Sequence, residues 1–489
     1  MSARKAVYEA DSFAADLAEY IEKSGMTIQK LSAVTGLGRT AIQHTLSGKL
    51  VPAKNFIDRL CAALPMSISQ KNALIEKYSR EKAGDAVYYN RNRLKSIIES
   101  LPQYRITGMR HNLSVDSEFL KKQDCGTFTG ILTVNNLLGA VLISEAAKEN
   151  PHIRSSIPFE NEALYNMINQ IFSASDKTIR LEHYFHMHAC SDNEKNANID
   201  TLWGALKLSM CRALDYYPYY YYIGHDDENY LITPYPHFLI TSERVVLLTA
   251  DFSSAILIKD DELRISFEKH CEHIKANSSL MIKQVGQSDM FGVFAENSPN
   301  YLTGIEYQPC LTGYITEDIL VKRLGNVPDR EFILNTVREN FFTEGEHRLD
   351  RSKFRNHFTK DGLISFAKTG KMTNMPGALL EPLSVDERIE ILRKMKADAD
   401  CYIMLTSDFA IPSFMQVICL FNRRVIISCL TEEKNFCCIL TESGLCGAFE
   451  SLAEGLADSG LTENKEITKA VIDSCIEMLS TEEQAAVSV

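Results

Sequence analysis

The sequence predicts a multidomain α+β protein: an all-α helix-turn-helix head followed by a large α+β region made of two duplicated halves. Three observations lead there. Residues 27–48, TIQKLSAVTGLGRTAIQHTLSG, have the apolar spacing and turn chemistry of two short helices meeting at a tight corner. Charge is divided unevenly along the chain. Segments beginning at Pro236 and Pro412 repeat one apolar pattern.

In the head, Asp11 to Lys23 reads as a first helix with Phe13, Leu17, Tyr20 and Ile21 as its apolar stripe. Thr27 is placed to cap a second helix with Ile28, Leu31 and Val34 on its inner face, and Gly36 supplies the positive φ of the turn. A third helix is expected from Arg39 to about Ser47. Ile42 and Leu46 face inward there, and Gly48 provides a left-handed stop. Arg39, Thr40, Gln43 and His44 then lie on the opposite face near the helix start, where a recognition helix touches base edges. Asn55 to Leu64, with Phe56, Ile57 and Leu60, closes the small core.

The pattern L31-S32-x-x-T35-G36-L37-G38-x-x-x-I42-x-x-x-L46-S47-G48-K49 resembles the lambda-repressor-like domains of the Xre regulator family, over about residues 11–64. Two positions depart from it: Ser32 stands where the family commonly has Ala, and Gly38 where it has a Ser or Thr cap. The resemblance implies that Gln29 contacts phosphate and that Arg39, Thr40, Gln43 and His44 meet bases or phosphates. With Thr27 and Lys49 these form the expected DNA-binding set. The competing reading is a helical bundle whose turn merely resembles this motif; the continuation of the pattern through four helices weighs against it.

Residues 1–100 hold 15 Lys+Arg against 10 Asp+Glu, a net charge of +5, so the remainder of a chain at −12 carries −17. A basic module on an acidic body puts phosphate contacts at one end and argues against nucleic acid along the rest. With 489 residues and 45% hydrophobic content there is room for about three domains. MSARKAVYEADSF runs straight into a polar helix, so no secretory leader is expected, and no apolar run reaches the length of a membrane span. Seven of 13 Cys (Cys401, Cys419, Cys429, Cys437, Cys438, Cys446, Cys475) crowd the last quarter without Cys-x-x-Cys pairs; they read as buried hydrophobes in a reducing cytoplasm.

Ser69 to Arg80 and Arg91 to Leu101 look like a helical connector interrupted by an irregular EKAGDAVYYNRN. Beyond it, Pro236 and Phe238 match Pro412 and Phe414. Arg244, Val245 and Val246 match Arg424, Val425 and Ile426. Leu263, Phe267 and Glu268 match Leu445, Phe449 and Glu450. Helices at Leu202–Leu214 and Val385–Lys396 precede strands Tyr219–Ile223 and Cys401–Leu405. Two such α+β halves would pack about a pseudo-twofold axis and leave a ligand crevice between them. In DYYPYYYYIGHDDENY, Tyr216, Tyr217, Tyr219, Tyr220, Tyr221 and Tyr222 alternate across a strand, a pattern suited to a flat ligand but better read as a half-buried β-strand.

Signals for catalysis are weak. His186, His188 and Cys190 share a strand face but are too few ligands for a metal, and GLISFAKTGK at residues 362–371 lacks the first glycine of a P-loop. No catalytic residue, metal or cofactor is assigned. The expected organisation is a helix-turn-helix domain (1–68), a helical connector (69–104), two α+β copies (105–295 and 296–480) and a disordered tail (481–489). The expected function is a cytoplasmic, bacterial or phage-type transcriptional regulator. Its partners are double-stranded DNA, a second copy of itself in a homodimer, and a small-molecule or protein effector, without membrane association. The alternative is an enzyme or phage-defence effector whose head serves localisation or autoregulation.

Overall fold

Helix α1 (Phe13–Lys23) starts where the Ser12 hydroxyl accepts the Ala15 amide, and it buries Phe13, Leu17 and Ile21. Helices α2 (Ile28–Thr35) and α3 (Arg39–Leu46) follow, then α4 (Lys54–Ala63), α5 (Ile68–Ala83) and α6 (Asp85–Thr107). The computed structural model describes residues 12–107, 125–173, 175–189, 194–211, 213–223, 233–285, 301–325, 354–373, 380–413, 415–430 and 435–487, with short pieces at 120, 293, 330–331, 333–335, 342–343 and 346–347. Three local expectations change. Val34 is 61% exposed rather than inward, since α2 turns only Leu31 fully into the core. The stretch expected to be irregular at residues 81–92 is helical on both sides of Gly84, whose φ of +81° makes the single break. The head's core also runs past residue 68, because Leu74 and Tyr78 of α5 pack with Phe13, Leu31, Ile42 and Leu60.

The body is mixed α/β, and with the head the described chain has fifteen α-helices, one short 3-10 helix (Thr312–Tyr314) and two large mixed sheets. The first half supplies β1 (Gly126–Thr129), α7 (Ile131–Ala146), β2 (His152–Ser155), α8 (Glu162–Ser173), β3 (Ile179–His188), α9 (Asn198–Ser209), β4 (Leu214–Ile223), β5 (His237–Ile240), β6 (Val245–Leu248), β7 (Ser254–Ile258), α10 (Asp261–Ala276) and β8 (Ser279–Leu280). Its sheet runs β1-β7-β6-β5-β2-β3-β4-β8. The second half supplies β9 (Ile282–Gln284), β10 (Tyr301–Glu306), α11 (Glu317–Arg323), the small hairpin β11 (Phe342–Thr343) and β12 (Glu346–His347), β13 (Arg355–Thr359), α12 (Lys360–Thr369), α13 (Val385–Ala397), β14 (Tyr402–Leu405), β15 (Met415–Leu420), β16 (Arg424–Leu430), β17 (Asn435–Leu440), α14 (Ser443–Leu456) and α15 (Lys465–Val487). Its sheet runs β14-β13-β10-β15-β16-β17-β9.

Both sheets therefore contain one arrangement: three antiparallel strands in a meander, joined antiparallel to the first of three parallel strands. The helix expected over Leu202–Leu214 ends at Ser209. Leu214 to Pro218 instead extend β4, because all ten of its residues pair with β3, from Ile179↔Leu214 to His188↔Ile223.

The two sheets share a core, and unlike faces meet in it. The first offers the side that carries α7, α8 and α9, with Leu181, Phe185 and Tyr216; the second offers Val425, Ile427 and Cys438 with Leu445, Phe449 and Leu452 of α14. The other face of the first sheet packs Tyr184, Phe238 and Val245 against Cys271 and Phe267 of α10, whereas the remaining face of the second packs Phe358, Ile418 and Ile426 against α12, α13 and α15. An expected pseudo-twofold axis would bring like faces together and is not what relates the halves. Helix α6 wedges between α9 and α14.

Candidate nucleic-acid interface

Local chemistry fixes the corner of the head. The Thr27 hydroxyl accepts the Lys30 amide at 3.2 Å, and Gly36 closes α2 at φ +68°, a left-handed turn that costs glycine nothing. Ser32, one of the two departures from the Xre pattern, donates its hydroxyl to the Leu37 carbonyl at 2.6 Å and so ties α2 to the turn. Gly38 precedes α3 with no side-chain cap, and Gly48 follows it at φ +64°.

On α3, Ile42 and Thr45 are buried while Arg39, Thr40, Gln43 and His44 are exposed. Residues at i, i+1, i+4 and i+5 lie on one side of a helix, so these four make a continuous polar strip over the first two turns. Thr27, Gln29 and Lys49 are exposed as well. Arg39 and Lys49 form no ion pair among the described residues, in contrast to Lys23 with Glu19 and Lys54 with Asp58, and so keep their charge for another partner. The strip has the donor and acceptor types that read base edges, and its cations suit phosphate.

The head is fastened to the body through α5. Tyr78 donates to the Pro52 carbonyl at 2.8 Å inside the head, while the adjacent Ser79 hydroxyl donates to the Asp458 carbonyl (3.1 Å) and Lys82, one turn on, pairs with the Asp458 carboxylate (2.7 Å). On α6, Arg91 donates to the Ser451 hydroxyl at 3.1 Å, and Gly455 leaves the space its guanidinium occupies.

Within the body, the tyrosine strand alternates as expected. Tyr216 and Tyr220 enter the shared core, and Tyr217 and Tyr219 lie on the other face beneath Arg180 (4.5 Å) and Lys275 (5.3 Å). Sequence patterning missed the networks around it. Glu182, only 1% exposed, is bonded by Arg154 (3.2 Å), Arg180 (2.9 Å), Lys275 (3.0 Å) and the Tyr184 hydroxyl (2.9 Å). Burial would raise its carboxyl, but these partners and His152 hold it far below the usual carboxylate range. His183, fully buried beside Tyr165 and Tyr216, is pushed down to about 4 by burial and so stays neutral. In the second sheet, Glu306 accepts from Tyr301 (2.6 Å) and Asn356 (2.7 Å), and burial pushes it up to about 7. Arg180, Tyr184 and Tyr301 are near their carboxylates in the sequence, but Arg154, Lys275 and Asn356 arrive from 28 to 93 residues away, so no spacing marks the complete clusters.

The remaining motifs resolve into structure. His186 and His188 pack edge to face at 5.6 Å, Cys190 lies outside the described residues, and no group of three or more potential metal ligands forms among those described. Gly370 and Lys371 are the left-handed C-cap of α12 and the residue after it. Ten of the cysteines are buried. No helix among the described residues is long and apolar enough to cross a membrane. The chain matches no protein-family model, no curated protein and no solved structure.

Proposed function

We propose that the chain is a sequence-specific DNA-binding transcriptional regulator with an Xre-like head, α3 being its recognition helix. The observation that supports this most is the exposed strip of Arg39, Thr40, Gln43 and His44 on a helix whose opposite side is locked into the head's core by Ile42. Arg39 and Gln43 read bases, Thr27, Gln29 and Lys49 hold phosphate, and Thr40 and His44 serve either role. One head of this size buries little DNA surface, so the regulator acts as a homodimer on a palindromic double-stranded target.

The acidic body is then the effector-sensing and dimerisation region. Its halves are copies of one ancestral unit. The shared strand order supports this, as does a detail outside the apolar pattern. Asp260 and Glu442 each cap the helix after the meander, accepting from the equivalent amides of Leu263 (2.8 Å) and Leu445 (2.7 Å). A second reading, an enzyme or phage-defence effector with the head in a localising or autoregulatory role, draws on the polar lining of the cleft beside α14, which includes Lys82, Glu450 and Glu454.

The test is selection of bound sequences from a random duplex pool with the full-length protein. Enrichment of one motif, bound at least a hundredfold tighter than random duplex, supports the reading. A pool that stays random overturns it.

A further inference from the structure

We propose that the cleft between the α5–α6 hairpin and α14 binds a small organic anion, a phosphate or carboxylate with neighbouring hydroxyl or amino donors, and that this ligand sets how the head is held. The inference deepens the regulator reading and rests on it for the DNA consequence alone. The cleft measures about 410 Å³, within the range of small-molecule sites. One wall is Lys82 and Arg91 of the hairpin; the other is Arg423 in the β15–β16 turn with Ser443 and Glu454 of α14, and Asn196 comes from the first half.

Two groups in it await a partner. Asn196 is 5% exposed; its Oδ1 accepts from the Asn198 amide (3.0 Å) and its backbone N–H donates to Asn90 (2.9 Å), while its side-chain amide, 3.6 Å from where a Cβ on Gly444 would stand, has no acceptor among the described residues. A donor that faces the cleft with no protein acceptor is open to one supplied by a ligand. Arg423 is exposed, forms no ion pair among the described residues, and is one of two non-glycine residues among them with a positive φ (+53°). The helix end itself is not the anion site, because Glu442 already accepts from Gly444 and Leu445. The anionic group therefore lies between Arg423 and the Asn196 amide, with Ser443 alongside. Glu450 and Glu454 stand along the same helix face, and Glu454, exposed and in no ion pair among the described residues, accepts the ligand's donor end.

The site spans a joint. Its hairpin wall contains α5, which completes the head's core with Tyr78 and grips the body with Lys82. A ligand that touches both walls favours one hairpin position over others by its difference in affinity for them, and the head moves with the hairpin.

The experiment is calorimetric titration of the full-length protein with ribose 5-phosphate, inorganic phosphate, glutamate and citrate, which separates phosphate from carboxylate recognition. At least one probe is expected to bind, and Arg423→Gly and Asn196→Asp each to weaken it tenfold or more. Arg423→Gly relieves its turn, so its melting temperature is not expected to fall. Binding by no probe, or binding unchanged in both variants, overturns the proposal. The bound probe is also expected to change affinity for a selected DNA site in the wild type and not in Arg423→Gly; an unchanged DNA affinity overturns the coupling. Failure to bind any DNA sinks the regulator reading while leaving the calorimetric result to stand or fall by itself.

Discussion

Replacing Glu306 by Gln tests the interior of the second sheet. The carboxyl accepts from Tyr301 and Asn356 through one oxygen, while the other oxygen has no partner, and burial lifts it from an ordinary 4.5 to about 7. The folded state thus keeps its proton where the unfolded chain has lost it, so the stability tied to this proton is full below pH 4.5 and is lost as pH rises through 7. Between pH 5.5 and 8.5 the loss amounts to about 2 kcal/mol. Glutamine has the shape of the neutral acid and keeps a carbonyl acceptor without the ionisation. Urea unfolding of wild type and Glu306→Gln, followed by circular dichroism at both pH values, isolates the effect, since every other titrating group is common to the two. The wild type is expected to lose about 2 kcal/mol more than the variant on going to pH 8.5. Equal losses would refute the argument that this carboxyl is buried and neutral.

Three further outcomes are expected. A Cβ on Gly362 would stand 1.8 Å from the Tyr307 carbonyl oxygen, so Gly362→Ala should lower stability by about 2 kcal/mol or more, read as a fall in melting temperature. Glu442→Ala removes the acceptor of two α14 amides and of the Tyr222 hydroxyl; a loss of about 1–2 kcal/mol is expected, and a smaller one for Glu442→Gln, in the same measurement. Lys49→Ala should weaken selected and random DNA alike and reduce the slope of log affinity against log salt by about 1, whereas a loss confined to the selected site would make Lys49 a base reader.

Local chemistry was legible in the sequence, and long-range packing was not. Thr27, Gly36 and Gly48 act within four residues of themselves, so the ends of α2 and α3 fell where their types indicate. Val34 has the apolar character of a core residue, but its exposure depends on how α2 sits against the other helices, which no spacing encodes. Leu214 looks like the end of a helix until β3 is present to pair with it and with the four residues that follow. The repeated apolar pattern pointed to two similar halves and said nothing about which faces would meet, because both faces of each sheet are apolar. The exposed strip on α3 followed from periodicity; the cleft did not, since Asn196 and Arg423 lie 227 residues apart and neither belongs to a motif.

The most direct test of the central claim is the affinity of the full-length Arg39→Ala, Gln43→Ala double variant for a DNA site selected with the wild type. Both side chains are exposed and lie outside the head's core, so the melting temperature is expected to hold. At about 1–3 kcal/mol for each base contact, affinity should fall at least thirtyfold, with preference for the site over random duplex lost in the same proportion. Undiminished binding and undiminished preference in the double variant would contradict the assignment of α3 as the element that reads DNA.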